Sequence, residues 1–216
     1  MIKSIKAAAA LMFIVFSAPS YALMITETVG GMDNLYFTDW GHIYNEGAGD
    51  GTQFNALGTG VAASSVESGG GAFNFSGAVS IGITASGHVV DDGPNATDAN
   101  GDPNAFMDGL WRGLPVYSLI GMWSTTPDAI TPIGDPSTAP FFIGTNLLLS
   151  LIDIPDVPQL YLFLAENDGL FGDNEGYYKV NLDVQFVPIP ASGVLLLSGL
   201  LGMFATRLGA FKKKAA

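Results

Sequence analysis

Regular alternation of apolar and polar residues is the strongest pattern along this chain. Every second residue is apolar in 79–85 and again in 178–186, within the longer segments 78–90 and 176–187. Because successive side chains of a strand point to opposite faces, this period of two predicts strands with one buried face. Four further apolar segments are also predicted as strands: 34–42, 115–123, 146–154 and 159–165.

The rest of the central region indicates the fold class. No stretch between residues 23 and 187 combines helical periodicity with capping residues, and the sequence contains no internal repeat. Short strands separated by clusters of Gly, Asp, Asn and Pro are typical of antiparallel sandwiches. The sequence therefore predicts an all-β domain over residues 23–187, built as an antiparallel β-sandwich.

The first 22 residues have the pattern of an export signal. Lys3 and Lys6 precede an apolar run at 7–16, and small residues at Ser20 and Ala22 suit a cleavage site. This order of charge, apolar run and small residues is typical of a secretory signal peptide. We expect signal peptidase to cut after Ala22; the alternative is an N-terminal membrane anchor.

The C-terminal segment 188–216 predicts a membrane tether. An apolar stretch at 193–206 is followed by Arg207 and by three lysines at 212–214. The stretch is shorter than the roughly 20 residues of an ordinary span, but flanking residues or a thin bilayer can compensate. Basic residues after a span face the cytoplasm. We therefore expect a transmembrane helix that holds the exported domain at the inner membrane.

Charge and composition exclude several classes of function. The 216-residue chain has a net charge of −12. All 20 acidic residues lie between Glu27 and Asp183, where Arg112 and Lys179 are the only basic residues. Such a domain repels the phosphates of nucleic acid and leaves carboxylates to ligate a hard cation. The absence of cysteine excludes disulfides, zinc–thiolate sites and cysteine nucleophiles.

The sequence contains no pattern that indicates catalysis. The two histidines, His42 and His88, follow or lie within predicted strands and are interpreted as structural. No Gly-x-Ser-x-Gly elbow, phosphate-binding loop or metal-binding histidine pair occurs. Tryptophan and tyrosine suit stacking on sugars, but in a sandwich they are mostly core residues. We therefore expect a protein that is not an enzyme.

An Asp/Asn-rich interval precedes the predicted strand 115–123. From Asp98 to Asn104, Asp and Asn occupy every second position, like the first half of an EF-hand calcium loop. Gly109 stands where that loop needs a bidentate glutamate. An Asx-rich surface loop is the favoured interpretation, and an ion in the 98–108 loop is the alternative.

A second candidate loop, 167–174, joins two predicted strands as a hairpin. Asp168 leaves the first strand, and Asp173 and Asn174 enter the second. The loop would offer a calcium ion oxygens from both of its rims, and its two glycines would let main-chain carbonyls turn inward. An ordinary turn is the alternative, because Asn-Asp-Gly and Asp-Asn are also common turn sequences.

The C-terminal segment resembles the PEP-CTERM sorting signals, in particular the variant beginning VPLPA. The sequence VPIPA at 187–191 takes the place of that motif, before the apolar stretch and the basic cluster. The resemblance implies processing by an exosortase-type membrane protease and release to the cell surface or an extracellular matrix. A plain C-terminal tail anchor is the alternative. The implied sorting residues are Val187, Pro188, Pro190, Ala191 and Arg207.

The central region resembles the galactose-binding bacterial calcium lectins, whose relatives include domains borne by PEP-CTERM proteins. The resemblance is carried by ASGHVVD at 85–91, GLPVYSLIGMW at 113–123, a following IG, AEND at 165–168 and DNEGYYKV at 173–180. It implies a jelly-roll or galactose-binding-like sandwich with a calcium ion, whose coordination sphere is completed by sugar hydroxyls.

Carried over residue by residue, this resemblance implies calcium ligands at the side chains of Asp168, Asp173 and Asn174. Asp91 falls where the family offers a main-chain carbonyl, and Leu170 is the nearest residue to its loop carbonyl. The loop is shorter than that of the family. Asp173 stands where the family has Asn, which adds charge to the site.

The family's sugar-contacting His-Pro segment has a loose counterpart here at Pro103 and Asn104. The implied carbohydrate-binding residues are Pro103, Asn104, Asp168 and Asn174. The sequence thus predicts an exported surface or matrix protein that binds Ca²⁺ and an exopolysaccharide or other glycan, such as a galactose-like sugar. The alternative is a non-catalytic structural protein of a biofilm matrix, with at most a structural calcium site.

Overall fold

The computed structural model describes residues 21–35, 61–90, 96–106, 111, 113–135, 138–169 and 171–186. Within these ranges the chain forms β-strands and one 3₁₀ turn, Phe171–Asp173, and no α-helix. The predicted all-β class is therefore confirmed. The strands are β1 (Tyr21–Gly30), β2 (Asp33–Asn34), β3 (Val61–Ala62), β4 (Glu67–Ser68), β5 (Gly71–Ala72), β6 (Ala78–Val90), β7 (Ala96–Thr97), β8 (Ser118–Ser124), β9 (Phe141–Phe142), β10 (Asn146–Ser150), β11 (Tyr161–Asn167) and β12 (Glu175–Phe186).

The larger sheet is built on the long antiparallel pair of β6 and β12. β1 pairs with the other edge of β12, while β10 and β7 pair with the other edge of β6. In the register Leu182 lies opposite Ile83 and Val184 opposite Ile81, and all four side chains are fully buried. The alternation that predicted these two strands is therefore confirmed.

The smaller sheet places β8 between β11 and β9, with antiparallel pairing on both sides. All seven residues of β8 are buried, because both faces of this sheet are covered by apolar side chains. Leu119 and Leu162 belong to the main core, which also contains Ile83 and Leu182 of the larger sheet. On the opposite face, neighbouring residues of β8 and β11 pack with residues outside both strands in a second core, formed by Leu35, Trp111, Ile120, Met122, Phe163, Ala165 and Phe171.

An aromatic cluster fills one part of the main core. Trp123 stacks on Phe141 with ring centroids 5.8 Å apart, and Phe75 meets Trp123 edge-on at 5.7 Å. Trp111 is buried as well. These two tryptophans therefore stabilise the fold, as tryptophans of a β-structure usually do, and neither offers an exposed face to a sugar.

Several strand bounds differ from the prediction. The segment predicted at 115–123 forms β8, which begins three residues later and ends one residue later, and the segment predicted at 159–165 forms β11, which is shifted by two residues. Turn residues replace the second half of the strand predicted at 146–154. Strand β1 was missed, although Ile25 and Val29 give it a buried face. Most of the segment 34–42 lies outside the described residues.

The described residues from Ala22 to Phe186 belong to one compact unit. The sorting tail from Val187 onward lies outside the described residues, as do the signal peptide up to Ser20, Asp91 and Leu170. Strand β1 starts at Tyr21, so the predicted cleavage after Ala22 would remove its first two residues and leave Ile25 and Val29 in place.

Two glycines with similar backbone angles should respond differently to substitution. Gly176 and Gly77 have φ angles of 90° and 80°. A Cβ at Gly176 would lie 2.4 Å from the His88 carbonyl oxygen, whereas a Cβ at Gly77 would have no atom within 4 Å. We expect Gly77→Ala to lower the free energy of unfolding by roughly 1–2 kcal/mol, the cost of a left-handed conformation.

For Gly176→Ala we expect an additional loss of roughly 1–3 kcal/mol, because the new methyl group forces β6 and β12 apart. Denaturant unfolding of the two variants measures the difference. Equal losses would contradict the close approach of the two strands at this position.

Candidate functional site

The loop 168–174 is a corner between the two sheets rather than a hairpin. β11 pairs with β8 in the smaller sheet, while β12 pairs with β6 in the larger one. The expectation of a hairpin is therefore wrong. Phe171 in the 3₁₀ turn is fully buried in the second core, and this apolar anchor sends the chain across to the other sheet instead of straight back.

The corner brings Asp168 and Asn174 together, as the sequence predicted. The Asn174 amide nitrogen Nδ2 donates to Asp168 Oδ2 at 2.7 Å and to Glu166 Oε2 at 3.0 Å. It also lies 3.1 Å from the main-chain carbonyl of Gly31. One side chain thus joins the end of β11, the start of β12 and the turn between β1 and β2.

This corner holds two carboxyl groups away from water. Glu166 is fully buried, Asp168 is 6% exposed and Asn174 is 4% exposed. A buried carboxylate is stable only where donors or a cation compensate its lost hydration. An amide –NH₂ has two hydrogens, so Asn174 Nδ2 has three neighbouring acceptors for two hydrogens.

Two further oxygens at the corner are buried without a hydrogen-bond partner among the described residues: Asn174 Oδ1 and Asp173 Oδ1. Asp173 belongs to the 3₁₀ turn and is half-buried, and its neighbour Gly172 is exposed. Asp173 therefore lies at the outer side of the corner, while Glu166 lies at its inner side. Unsatisfied buried oxygens in a native fold call for an explanation such as a bound ion or water.

Gly31 reaches the corner because it has no side chain. A Cβ there would lie 2.9 Å from Val89 Cγ1 and 3.2 Å from both Asn174 Cβ and the Glu175 carbonyl oxygen. The Gly31 N–H donates to the carbonyl of Gly176 at 3.1 Å. The β1–β2 turn is thus seated directly on the start of β12, and its carbonyl points to the Asn174 amide.

Asn167 fixes the loop that precedes β8. Its Oδ1 accepts the N–H of Trp111 at 2.9 Å, and its Nδ2 donates to the carbonyls of Leu114 and Pro115 at 3.1 and 3.0 Å. The Asn167 carbonyl accepts the N–H of Tyr117 at 2.7 Å. The side chain is fully buried, and both its oxygen and its nitrogen are hydrogen-bonded to backbone groups. We therefore assign it a structural role beside the corner.

Tyr178 holds a second loop from within the main core. Its hydroxyl donates to the Tyr117 carbonyl at 2.6 Å and lies 3.3 Å from that of Asp98. Burial, and then the negative charges of Glu166 and Asp98, raise the Tyr178 pKa well above its ordinary value. The hydroxyl therefore stays protonated and remains a hydrogen-bond donor.

The Asp/Asn-rich loop uses its side chains to form local turns. Asp98 Oδ1 accepts the N–H of Asn100 at 2.9 Å, and Asp102 Oδ1 accepts the N–H of Asn104 at 2.8 Å. Asn100 Oδ1 accepts the N–H of Thr145 at 3.1 Å. The bonds of Asp98 and Asp102 are Asx-turn contacts, and that of Asn100 joins the loop to the residue before β10; all three fit the favoured interpretation of a surface loop.

Pro103 and Asn104, the residues predicted to contact sugar, are both exposed on this loop. The loop is linked indirectly to the corner. Asp102 donates its N–H to the carbonyl of Val116 at 2.8 Å, and the next residue, Tyr117, bonds to Asn167. Pro103 and Asn104 therefore belong to a segment that the backbone ties to the strand end carrying Asp168.

A separate small polar cleft lies beside β1 and includes Glu27 and Asp33 among its lining residues. Burial raises the pKa of both carboxyl groups, although each also accepts a backbone N–H that acts in the opposite direction. The donors are Glu67 N to Glu27 at 2.7 Å and Gly30 N to Asp33 at 2.6 Å. These bonds connect local segments, so we interpret the cleft as structural.

Sequence reasoning missed two contributors to the corner. The sequence patterns indicate neither Glu166 nor Gly31 as a ligand. Glu166 could have been found, because it follows the apolar run of β11 at a position where the strand is buried. Gly31 contributes a main-chain carbonyl from a distant turn, for which the sequence carries no signal.

Across the described ranges no three Asp, Glu or His side chains gather closely enough to form a metal site by themselves. The corner instead gathers two carboxyl groups and a main-chain carbonyl around the Asn174 side-chain amide, whose nitrogen faces them. Calcium accepts carboxylate, main-chain carbonyl and side-chain amide oxygens as ligands, so the residues at the corner fit a calcium ion.

Comparison with known proteins leaves this interpretation resting on the residues alone. No protein-family model matches the chain, and no curated protein matches it significantly. In the part of the chain that is described, no helix is long and apolar enough to cross a membrane.

Proposed function

We propose that this chain is an exported surface or matrix protein whose β-sandwich binds Ca²⁺ at the corner between its two sheets and binds a glycan through that ion. The two sheets contribute side chains to a common core, which supports the sandwich architecture. The single observation that carries the calcium site is the convergence of Glu166, Asp168 and the Gly31 carbonyl on one amide nitrogen.

Electrostatics favours a cation at this place. Two carboxylates within hydrogen-bond distance of the same atom repel each other, and burial strengthens the repulsion because the local dielectric is low. The neutral Asn174 amide and the Gly169 N–H, which donates to Asp168 Oδ1 at 2.6 Å, offset this repulsion only partly. Calcium takes six to eight oxygen ligands, and the unpartnered Asn174 Oδ1 would add to the set. Asp173 does not join Glu166 and Asp168 in a group of three acidic side chains among the described residues, so it would reach the ion only after a local movement or through water.

Glycan binding would occur on the outer side of the ion. Gly172 is exposed and Asp173 is half-buried, so this side of the corner is the nearer to solvent, and sugar hydroxyls or water would approach the ion from there. Pro103 and Asn104 are exposed on a loop that is tied to the same strand end. They would contact the parts of a sugar that the ion does not reach.

A second candidate function is a structural role in a matrix without glycan recognition. It is favoured by the hydrogen bonds of Asn174, which join the three chain segments even without a cation. In this case calcium would only stabilise the corner. For either function we propose that the protein is not an enzyme.

Delivery of the domain would depend on the two ends of the chain. The signal peptide would direct export, and the C-terminal segment would tether the precursor in the inner membrane. An exosortase-type protease would then act near the VPIPA motif at 187–191 and release the domain to the cell surface or extracellular matrix. The motif, apolar stretch and basic cluster support this order of events.

The calcium site predicts a thermal shift that depends on Asp168. Calcium at a hundred times its Kd should stabilise the protein by roughly 2.7 kcal/mol, which raises the Tm by about 5–11 °C at ~2–4 °C per kcal/mol. Asp168→Asn should abolish most of this shift, since it removes one of the ligand charges. The metal-free Tm should stay equal or rise, because one repulsive charge is lost.

Asp156→Asn is the matched control, because Asp156 is exposed and far along the chain from the corner. It should keep the full calcium shift. A wild-type Tm that responds neither to calcium nor to chelator would refute the site. A full shift in Asp168→Asn would place the ion elsewhere.

Glycan recognition is tested by a glycan array with the purified protein, once with calcium and once with chelator. We expect binding to galactose-like or exopolysaccharide ligands only with calcium, because sugar hydroxyls would complete the coordination of the ion. Silence in both conditions, together with an intact calcium shift, would reject the lectin function in favour of the structural one.

Processing of the tail is tested by mass spectrometry of the extracellular protein. The mature form should lack residues 193–216. Pro190→Ala should block release more strongly than Leu196→Ala, because a sorting protease reads the motif, whereas the membrane segment needs only to be apolar. An intact C-terminus on the released protein would contradict the proposed cleavage.

A further inference from the structure

We infer that Glu166 and the main-chain carbonyl of Gly31 are the inner ligands of the cation site, and that the Asn174 side-chain amide rotates by half a turn when the ion binds. This inference rests on the proposed calcium site but extends it to two chain segments outside the 168–174 loop. It also makes the turn between β1 and β2 part of the binding site.

The position of Glu166 in β11 is the first observation. Leu162 and Leu164, four and two residues earlier on the same face, belong to the main core. Leu119, the register partner of Glu166 on β8, belongs to it too. The pattern of the strand therefore demands an apolar residue where Glu166 stands. A fully buried carboxylate at such a position is unfavourable for folding and indicates a functional requirement.

The Asn174 side chain is the second observation, independent of the acidic residues. It is 4% exposed, and its Oδ1 atom is buried without a partner among the described residues. Its Nδ2 atom, meanwhile, has oxygens of Glu166, Asp168 and Gly31 within 3.1 Å. Rotation of the amide by half a turn would exchange the two atoms.

After that rotation four oxygens would face one another: Asn174 Oδ1, Glu166 Oε2, Asp168 Oδ2 and the Gly31 carbonyl. The mutual repulsion of these oxygens would favour a cation between them. In the metal-free protein the amide nitrogen takes the place of the ion and holds the corner together. The Asn174 amide would thus hold the corner together in both states: through its nitrogen in the metal-free protein and through its oxygen in the calcium-bound protein.

The inference has a structural consequence for the N-terminal strand. Gly31 is seated against Val89, Asn174 and Glu175, so an ion bound to its carbonyl would fasten the β1–β2 turn to the start of β12. Calcium would then stabilise the attachment of β1 to the larger sheet and not only the loop 168–174.

The test compares Glu166→Gln with Glu175→Gln in the purified full-length protein by isothermal titration with CaCl₂. Both variants remove one negative charge from a side chain of equal length. Glu175 follows Asn174 directly but is exposed. We expect Glu166→Gln to weaken calcium binding at least tenfold and Glu175→Gln to change it less than twofold.

Asp168→Asn in the same titration distinguishes failure of the calcium site from failure of the inner-ligand assignment. If Glu166→Gln binds like the wild type while Asp168→Asn does not bind, the inner-ligand inference is overturned and the calcium site stands. If the wild type takes up no calcium, the calcium site fails, and the inner ligands fail with it.

A measurement on the wild type covers the case in which Glu166→Gln does not fold. In ¹³C spectra of the carboxyl carbons, the Glu166 signal should shift with stoichiometric calcium, while the Glu175 signal should stay in place. The Gly31 carbonyl signal should move together with that of Glu166. Unchanged Glu166 and Gly31 signals at saturating calcium would overturn the inference.

Discussion

The burial of two carboxylates at one sheet corner constrains much of the surrounding structure. Glu166 and Asp168 leave water with their charges close together, and each needs a donor or a cation in return. The Asn174 amide meets this need from the start of β12. Because the same amide also reaches the Gly31 carbonyl, one side chain connects the end of β11, the start of β12 and the β1–β2 turn.

The surroundings of the corner are satisfied by neutral hydrogen bonds. The Asn167 side chain forms hydrogen bonds with the backbone of Trp111, Leu114 and Pro115. The protonated Tyr178 hydroxyl donates to the main-chain carbonyl of Tyr117. Both side chains are fully buried, and their contacts leave no net charge. The carboxyl groups at the corner therefore differ from the neutral groups around them, and this contrast is what the proposed cation site would explain.

The sequence predicted the parts of the fold that depend on local periodicity. The alternating segments became β6 and β12, and the apolar segments became β8, β10 and β11, because strand formation follows burial of alternate or of all side chains. The sheet to which each strand belongs depends on contacts between distant residues. The hairpin expectation failed for this reason: the buried Phe171 directs the chain to the other sheet. Similarly, the spacing of Asp168 and Asn174 was enough to place them together, whereas the contribution of Gly31 depends on the docking of a turn.

The two sides of the corner differ in a way that bears on function. Glu166 and Gly31 lie on the inner side, which the main core and β12 cover, so no external ligand reaches an ion from there. Asp173 and the exposed Gly172 lie on the outer side. A protein that needed calcium only for stability could surround it on all sides with its own oxygens. If the corner binds calcium as proposed, this difference in burial would make the outer side the approach for a hydroxyl-bearing ligand, an approach that a purely structural ion would not need.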